Sequence, residues 1–305
     1  MRQGNGFSEI AWLVWLSGAG CDGCTMAMLG AADPSLEDLL LGNIPDAPRL
    51  ALIHPHFGPH FISQFKHPSK SVSPFLPTYE AVWKPGETYE ALLRHAATGD
   101  LHPFVLVLEG GLYEEPLTAE GSYTHLGTAR NGRPLTTVSW LKSLAPRAEA
   151  VLALGSCATD GGIPAAAGGL GGVKGIGSVL GKDFKSRGGL PVLQMPGCAP
   201  PGEGLVETLI YLFLHLAQLV PLDLDDAQRP RWLYNKAANP LPPRADYPPA
   251  VGFDTARTLK VLCPVPSLGW TRGLGGCTRA GGGCIACTAP GFADQYLFAA
   301  RPDAE

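Results

Sequence analysis

Residues 10–29 read Ile10-Ala11-Trp12-Leu13-Val14-Trp15-Leu16-Ser17-Gly18-Ala19-Gly20-Cys21-Asp22-Gly23-Cys24-Thr25-Met26-Ala27-Met28-Leu29. An apolar run of strand length, Ile10 to Leu16, passes through a glycine-rich turn into a helix-compatible segment, Cys24 to Leu29. The same succession recurs after the apolar runs Leu50–His54, Phe104–Leu108, Ala150–Leu154 and Pro191–Met195. Apolar residues spaced three and four apart predict helices over Ser35–Leu41, Tyr89–Ala97, Thr137–Leu144 and Glu203–Leu219. Strands alternating with helices predict an α/β fold with a doubly wound parallel sheet, and runs apolar on both faces predict helices covering both sides.

That pattern ends near residue 220. Residues 221–252 contain seven prolines, including Asn239-Pro240-Leu241-Pro242-Pro243, and read as a connector without long helices or central strands. Residues 253–305 lack regular periodicity yet carry half of the eight cysteines and the run Gly281-Gly282-Gly283. A segment with so little apolar surface to bury needs another source of order, and a metal is the usual one. The expected organisation is a sheet domain over 1–220, a connector over 221–252 and a smaller, irregular C-terminal domain over 253–305.

Composition narrows the function. Of 305 residues, 23 are basic and 27 acidic, a formal net charge of -4, which leaves no surplus to neutralise nucleic-acid phosphates. Hydrophobic residues at 45% and charged residues at 16% exclude a disordered chain. No basic-then-apolar leader or twin arginine occurs in Met1–Glu9, so the cytoplasm is the expected compartment. The apolar stretch Leu205–Leu219 is broken by Glu207, His215 and Gln218 and falls short of the roughly 20 residues a bilayer span needs. In a reducing compartment the cysteines point to metal or redox chemistry before disulfides.

They sort into two quartets. Cys21 and Cys24 follow the first predicted strand, Cys157 follows the fourth and Cys198 the fifth. All three turns leave carboxyl ends of parallel strands, and those ends share one edge of the sheet, where such folds bind ligands. Cys263, Cys277, Cys284 and Cys287 form a second quartet, local in sequence and ending in another C-x-x-C pair. Four thiolates suit zinc or an iron–sulfur cluster. Zinc modules are usually self-contained, which fits the second quartet; ligands spread over a flavodoxin-like sheet fit a redox cluster better.

Four segments together resemble the small, electron-transferring subunit of nickel-iron hydrogenases: Gly20-Cys21-Asp22-Gly23-Cys24-Thr25-Met26; Gly155-Ser156-Cys157-Ala158 with Gly161-Gly162-Ile163; Pro196-Gly197-Cys198-Ala199-Pro200-Pro201; and Cys284-Ile285-Ala286-Cys287-Thr288-Ala289-Pro290-Gly291-Phe292. The resemblance runs in order over nearly the whole chain. It implies a flavodoxin-like domain holding a proximal 4Fe-4S cluster on Cys21, Cys24, Cys157 and Cys198, next to the nickel-iron centre of a separate large subunit. Cys263, Cys284 and Cys287 match the family's medial ligands. At 277 relatives with a three-iron medial cluster commonly carry proline, so Cys277 implies a complete 4Fe-4S cluster, with 3Fe-4S occupancy as the alternative. The family's distal cluster takes one His and three Cys, yet here no cysteine lies between Cys198 and Cys263 and no histidine follows His215. Two clusters are therefore expected, the second facing solvent or an electron-acceptor protein or further redox subunit.

The resemblance makes the chain part of an obligate hydrogenase heteromer, relaying electrons during H2 oxidation or proton reduction, with no catalytic residue of its own. The alternatives are a quinone- or ferredoxin-linked module like the cluster subunit of respiratory complex I, and a zinc-stabilised binding protein without redox function. Complex I relatives carry adjacent cysteines where this chain has the spaced Cys21/Cys24 pair. His54, His56, His60 and His67 read as a surface or interface loop, Asp22 and Asp160 as solvated loop residues or caps, and Glu109, Glu114 and Glu115 as solvated loop carboxylates. Gly168–Gly175 with Lys174 lacks a phosphate-loop pattern.

Overall fold

A computed structural model describes residues 10–56, 88–115, 124–166, 172–236, 262–265 and 285–293. Five strands form one parallel sheet: β1 (Ile10–Ser17), β2 (Arg49–Ile53), β3 (Phe104–Glu109), β4 (Ala150–Leu154) and β5 (Val192–Met195). Their order is β2-β1-β3-β4-β5, the flavodoxin-like order. Trp12 of β1 lies between Ala51 of β2 and Phe104 of β3. The chain thus winds to one side of β1 and then to the other, leaving a crevice where the carboxyl ends of β1 and β3 diverge.

Every residue of β3 and β4 is buried, as expected for strands with helices on both faces. The covering helices are α1 (Gly23–Leu29), α2 (Leu36–Leu41), α3 (Tyr89–Thr98), α4 (Thr137–Leu144) and, beyond three shorter ones, α8 (Gly202–Leu216). The shorter helices are α5 (Gly155–Asp160), α6 (Gly162–Ala165) and α7 (Gly177–Leu180). Their starts carry sequence reasons. Ser35 accepts from the Asp38 N–H at 3.1 Å while the Asp38 carboxylate accepts from the Ser35 N–H at 3.1 Å, a capping box; Thr88 and Thr136 cap α3 and α4 through the Ala91 and Ser139 amides. In α8, Leu205, Leu209, Leu212 and Phe213 are buried, the spacing of a helix face laid on a core.

Two expectations need correction. Helix α8 ends at Leu216 rather than Leu219, because Gln218 turns into the left-handed region at φ 62. Residues 155–160, which carry no apolar period, form helix α5 rather than an open loop. Of the connector, residues 237–252 lie outside the described residues, as does most of 253–305.

Candidate metal centre

The turns after β1, β4 and β5 converge at the crevice. Cys21, Cys24, Cys157 and Cys198 line a single pocket of about 290 Å³, together with Glu109, Ser156 and the glycines at 20, 23, 110, 155 and 197. Cys24 lies in the first turn of α1, Cys157 in α5, and Cys21 and Cys198 on the loops after β1 and β5. Cys24 and Cys157 are half-buried, whereas Cys21 and Cys198 are exposed toward the rim. Among the described residues, no three His, Cys, Asp or Glu side chains close on a point as a single ion would require. A mononuclear zinc site holds each sulfur about 2.3 Å from one ion; a polynuclear cluster needs space between its thiolates.

Glycine makes this approach feasible at two positions. A Cβ on Gly155, whose φ is +83°, would sit 2.6 Å from the Cys24 sulfur. A Cβ on Gly162, at φ +54°, would sit 2.9 Å from the Cys157 sulfur. The sequence therefore gives up a side chain for room around the Cys24 sulfur at Gly155, and for room around both the backbone and the sulfur of Cys157 at Gly162.

The electrostatics explain what must fill that room. Burial first, then the charge of Glu109 and of the other three cysteines, pushes the Cys24 thiol far above the usual range. Burial, followed by the charges of Cys198 and Cys21, pushes Cys157 up to about 11, against an opposing hydrogen bond from the Ile163 amide. Four thiolates thus resist sharing the pocket unless a cationic core lies among them. Four thiolates converging on one pocket are a donor set that fits an iron–sulfur cluster.

Glu109 corrects the reading of it as a solvated carboxylate. It ends the otherwise apolar β3, is 3% exposed, and accepts hydrogen bonds from the Cys24 amide at 2.9 Å, the Thr25 amide at 3.1 Å, Trp15 Nε1 at 3.1 Å and the Thr25 hydroxyl. One carboxylate at the end of β3 so fixes the start of α1 and the backbone of Cys24. His54 is likewise no surface histidine: it is fully buried, its Nδ1 accepting from the His56 amide at 3.1 Å and its Nε2 lying 3.0 Å from the Thr25 hydroxyl. His56 is exposed and pairs with Asp22 at 3.4 Å; His60 and His67 lie outside the described residues. Glu114 is exposed and pairs with Lys174 at 3.2 Å, Glu115 receives the Thr124 amide at 2.9 Å, and Asp160 is exposed beside Thr159. The overlooked signal for Glu109 is a lone carboxylate followed by Gly110-Gly111 at a strand's carboxyl end, the position that supplies the cysteines on neighbouring strands.

Of the second quartet, Cys263 and Cys287 are half-buried, and Cys277 and Cys284 lie outside the described residues. The Thr288 hydroxyl donates to the Leu262 carbonyl at 2.7 Å, which ties the Cys287 segment to the Cys263 segment. The Cys263 amide donates to the Lys236 carbonyl at 2.9 Å. Tyr234, 1% exposed, stands within electrostatic reach of Cys263 and Cys287 and of Cys24. A larger cleft of about 1020 Å³, bordered by Asp160, Lys182, Gln194, Asp226 and Arg229, contains none of the cysteines.

The family model described as NADH ubiquinone oxidoreductase, 20 Kd subunit, matches residues 21–212. The periplasmic [NiFeSe] hydrogenase small subunit of Desulfomicrobium baculatum is 26% identical over 92% of this chain and 84% of its own. The periplasmic [NiFe] hydrogenase small subunit 1 of Nitratidesulfovibrio vulgaris is 26% identical over 93% and 80%. Among solved structures, the actinobacterial-type NiFe-hydrogenase from Ralstonia eutropha H16 superposes with a TM-score of 0.75 at 35% identity, over 97% of this chain and 84% of that one. The chain belongs to the family of the 20 kDa subunit of NADH ubiquinone oxidoreductase, and within it to the nickel-iron hydrogenase small subunits.

Proposed function

We propose that this chain is the iron–sulfur electron-transfer subunit of a nickel-iron hydrogenase, carrying electrons between the nickel-iron centre of a large subunit and an external acceptor. The observation that carries this reading is the meeting of four cysteines from three strand ends in one pocket at the switch point of the sheet. In our reading Cys21, Cys24, Cys157 and Cys198 hold a proximal 4Fe-4S cluster. Cys263, Cys277, Cys284 and Cys287 hold a medial one, of 4Fe-4S rather than 3Fe-4S type, and a distal cluster is absent. When bound, such clusters supply reversible one-electron storage at potentials set by charge, burial and hydrogen bonding to sulfur.

The protein's own part is geometric and electrostatic. Glu109 pins Cys24 by its backbone, Gly155 and Gly162 admit sulfur, and the sheet fixes the three turns relative to one another. On α1, which carries Cys24, Met26 is 65% exposed and Leu29 38%, and on α6, which follows the helix of Cys157, Ile163 is 38% exposed. Apolar side chains left exposed on α1 and on α6 suit a face covered by the large subunit. Among the described residues no helix is long and apolar enough to cross a membrane.

The domain limits at 220 and 252 and a cytoplasmic location are part of the same proposal; limited proteolysis and cell fractionation test them. The central test is copurification from the native host with metal analysis. Nickel together with iron and sulfide in a complex of this chain and a larger one is the expected result. Iron without nickel would favour the complex I-like alternative, and zinc without iron the non-redox one.

A further inference from the structure

Ser156 stands between the two cysteine sets. It opens helix α5, next to Cys157, and is 2% exposed. Its backbone N–H donates to the Gly197 carbonyl at 3.0 Å. Its hydroxyl accepts from the Gly197 N–H at 2.9 Å and donates to the carbonyl of Cys287. One oxygen atom thereby joins the residue before Cys198, an inner cysteine, to the backbone of Cys287, an outer one. Both ends of this link lie one short stretch of covalent bonds from a cysteine sulfur.

Serine is well suited to the position. A hydroxyl both donates and accepts, so it bridges an N–H and a carbonyl in series. Burial keeps water from competing for either partner, and an unmade bond at any of the three groups would cost free energy. Tyr234 makes a second buried bond to the same loop, its hydroxyl donating to the Pro196 carbonyl at 2.7 Å. That bond holds the loop without reaching Cys287 directly, which makes it the natural control.

We infer that the Ser156 hydroxyl is the hydrogen-bonded link through which electrons pass between the inner and outer clusters, by way of the Gly197 amide and the Cys287 carbonyl. The inference rests on the two-cluster reading above. Electrons cross singly, oxidising one cofactor as the other is reduced; no covalent bond is made or broken and no proton leaves the bridge. Ser156 is thus a positioning residue for electron flow, distinct from the ligands.

The test uses the intact heteromer. Iron and sulfide are counted and both clusters are titrated by electron paramagnetic resonance in the parent protein and in Ser156→Ala, Ser156→Thr and Tyr234→Phe. Samples mixed with H2 are then frozen at successive times, and the reduction of each cluster is followed separately. Ser156→Ala is expected to keep both clusters and their midpoint potentials while the outer cluster fills severalfold more slowly; Ser156→Thr, which keeps the hydroxyl, restores the parent rate, and Tyr234→Phe leaves it unchanged. Equal filling rates in Ser156→Ala and the parent would overturn the link. So would loss of the outer cluster in Ser156→Ala, which makes the serine a structural clamp, or an equal slowing in Tyr234→Phe, which makes the effect one of loop loosening. A parent complex with one cluster only would instead defeat the two-cluster reading.

Discussion

The inner and outer cysteine sets are built into the chain by opposite routes. Cys21, Cys24, Cys157 and Cys198 come from three distant segments and are gathered by the sheet: β3 and β4 are buried throughout, and among the described residues no cysteine lies in a strand. Among the described residues, Cys263 and Cys287 belong to short segments fastened by side-chain and backbone bonds such as Thr288 to Leu262, with Leu262 packed on the main core and a small apolar cluster formed by Ala166, Phe292 and Ala293. In the first set, folding positions the cysteines. For the second, the proposed cluster would supply much of the order.

The largest expected effect lies at the inner set. Cys198→Ser should abolish H2-dependent reduction of a viologen dye by the heteromer, because in the proposed assignment it removes one of the four ligands of the inner cluster; undiminished dye reduction would remove Cys198 from the ligand set. Stripping iron with a chelator should then separate the two regions. Amide exchange in 285–293 should accelerate strongly, while the strands of the sheet keep their protection. Equal loss of protection in both regions would break the contrast drawn above.

Smaller changes sharpen it. Gly155→Ala places a methyl 2.6 Å from the Cys24 sulfur at φ +83°, costing about 1–2 kcal/mol in backbone conformation alone in addition to the clash. Iron content and Tm should both fall, and a variant with full iron and unchanged Tm would mean that the pocket is looser than described. Cys277→Pro should shift the outer cluster toward a three-iron form visible by electron paramagnetic resonance in the oxidised state, leaving the inner signal alone; an unchanged spectrum would show that Cys277 is not a ligand.

The smallest effect is one of pH. Burial, then the neighbouring charge of His56, lowers the His54 pKa from 6.5 to about 3. The unfolded chain takes up this proton first, so the stabilisation is complete above pH 6.5 and is lost as pH falls toward about 3, by at most about 1.4 kcal/mol per pH unit. His54→Gln keeps a donor for Thr25 and should flatten that part of the pH dependence in urea unfolding; parallel profiles would deny His54 the role.

Much of this was legible from residues alone. All five strands fall within a residue or two of their apolar runs, because a strand buried on both faces leaves an unmistakable uninterrupted signature. The grouping of the inner cysteines followed from topology, since turns at the same ends of parallel strands must share an edge. What stayed hidden depends on remote partners. Glu109 is buried because Trp15, Cys24 and Thr25 bring donors to it from other segments, and its local cue, a strand end before Gly110-Gly111, names none of those partners. His54 follows its strand as any turn residue would, yet the Thr25 hydroxyl and the Trp15 ring, 5.1 Å away, enclose it. Ser156 carried no signal beyond standing next to a cysteine; its meaning lies in a carbonyl 131 residues further along.

The most direct test of the central claim is anomalous diffraction from crystals of the heteromer, collected at the iron and zinc edges. The account predicts a strong iron signal in the pocket bounded by Cys21, Cys24, Cys157 and Cys198, with all four sulfurs bonded to it. A zinc signal there, or four sulfurs left unbonded around an empty map, would contradict it.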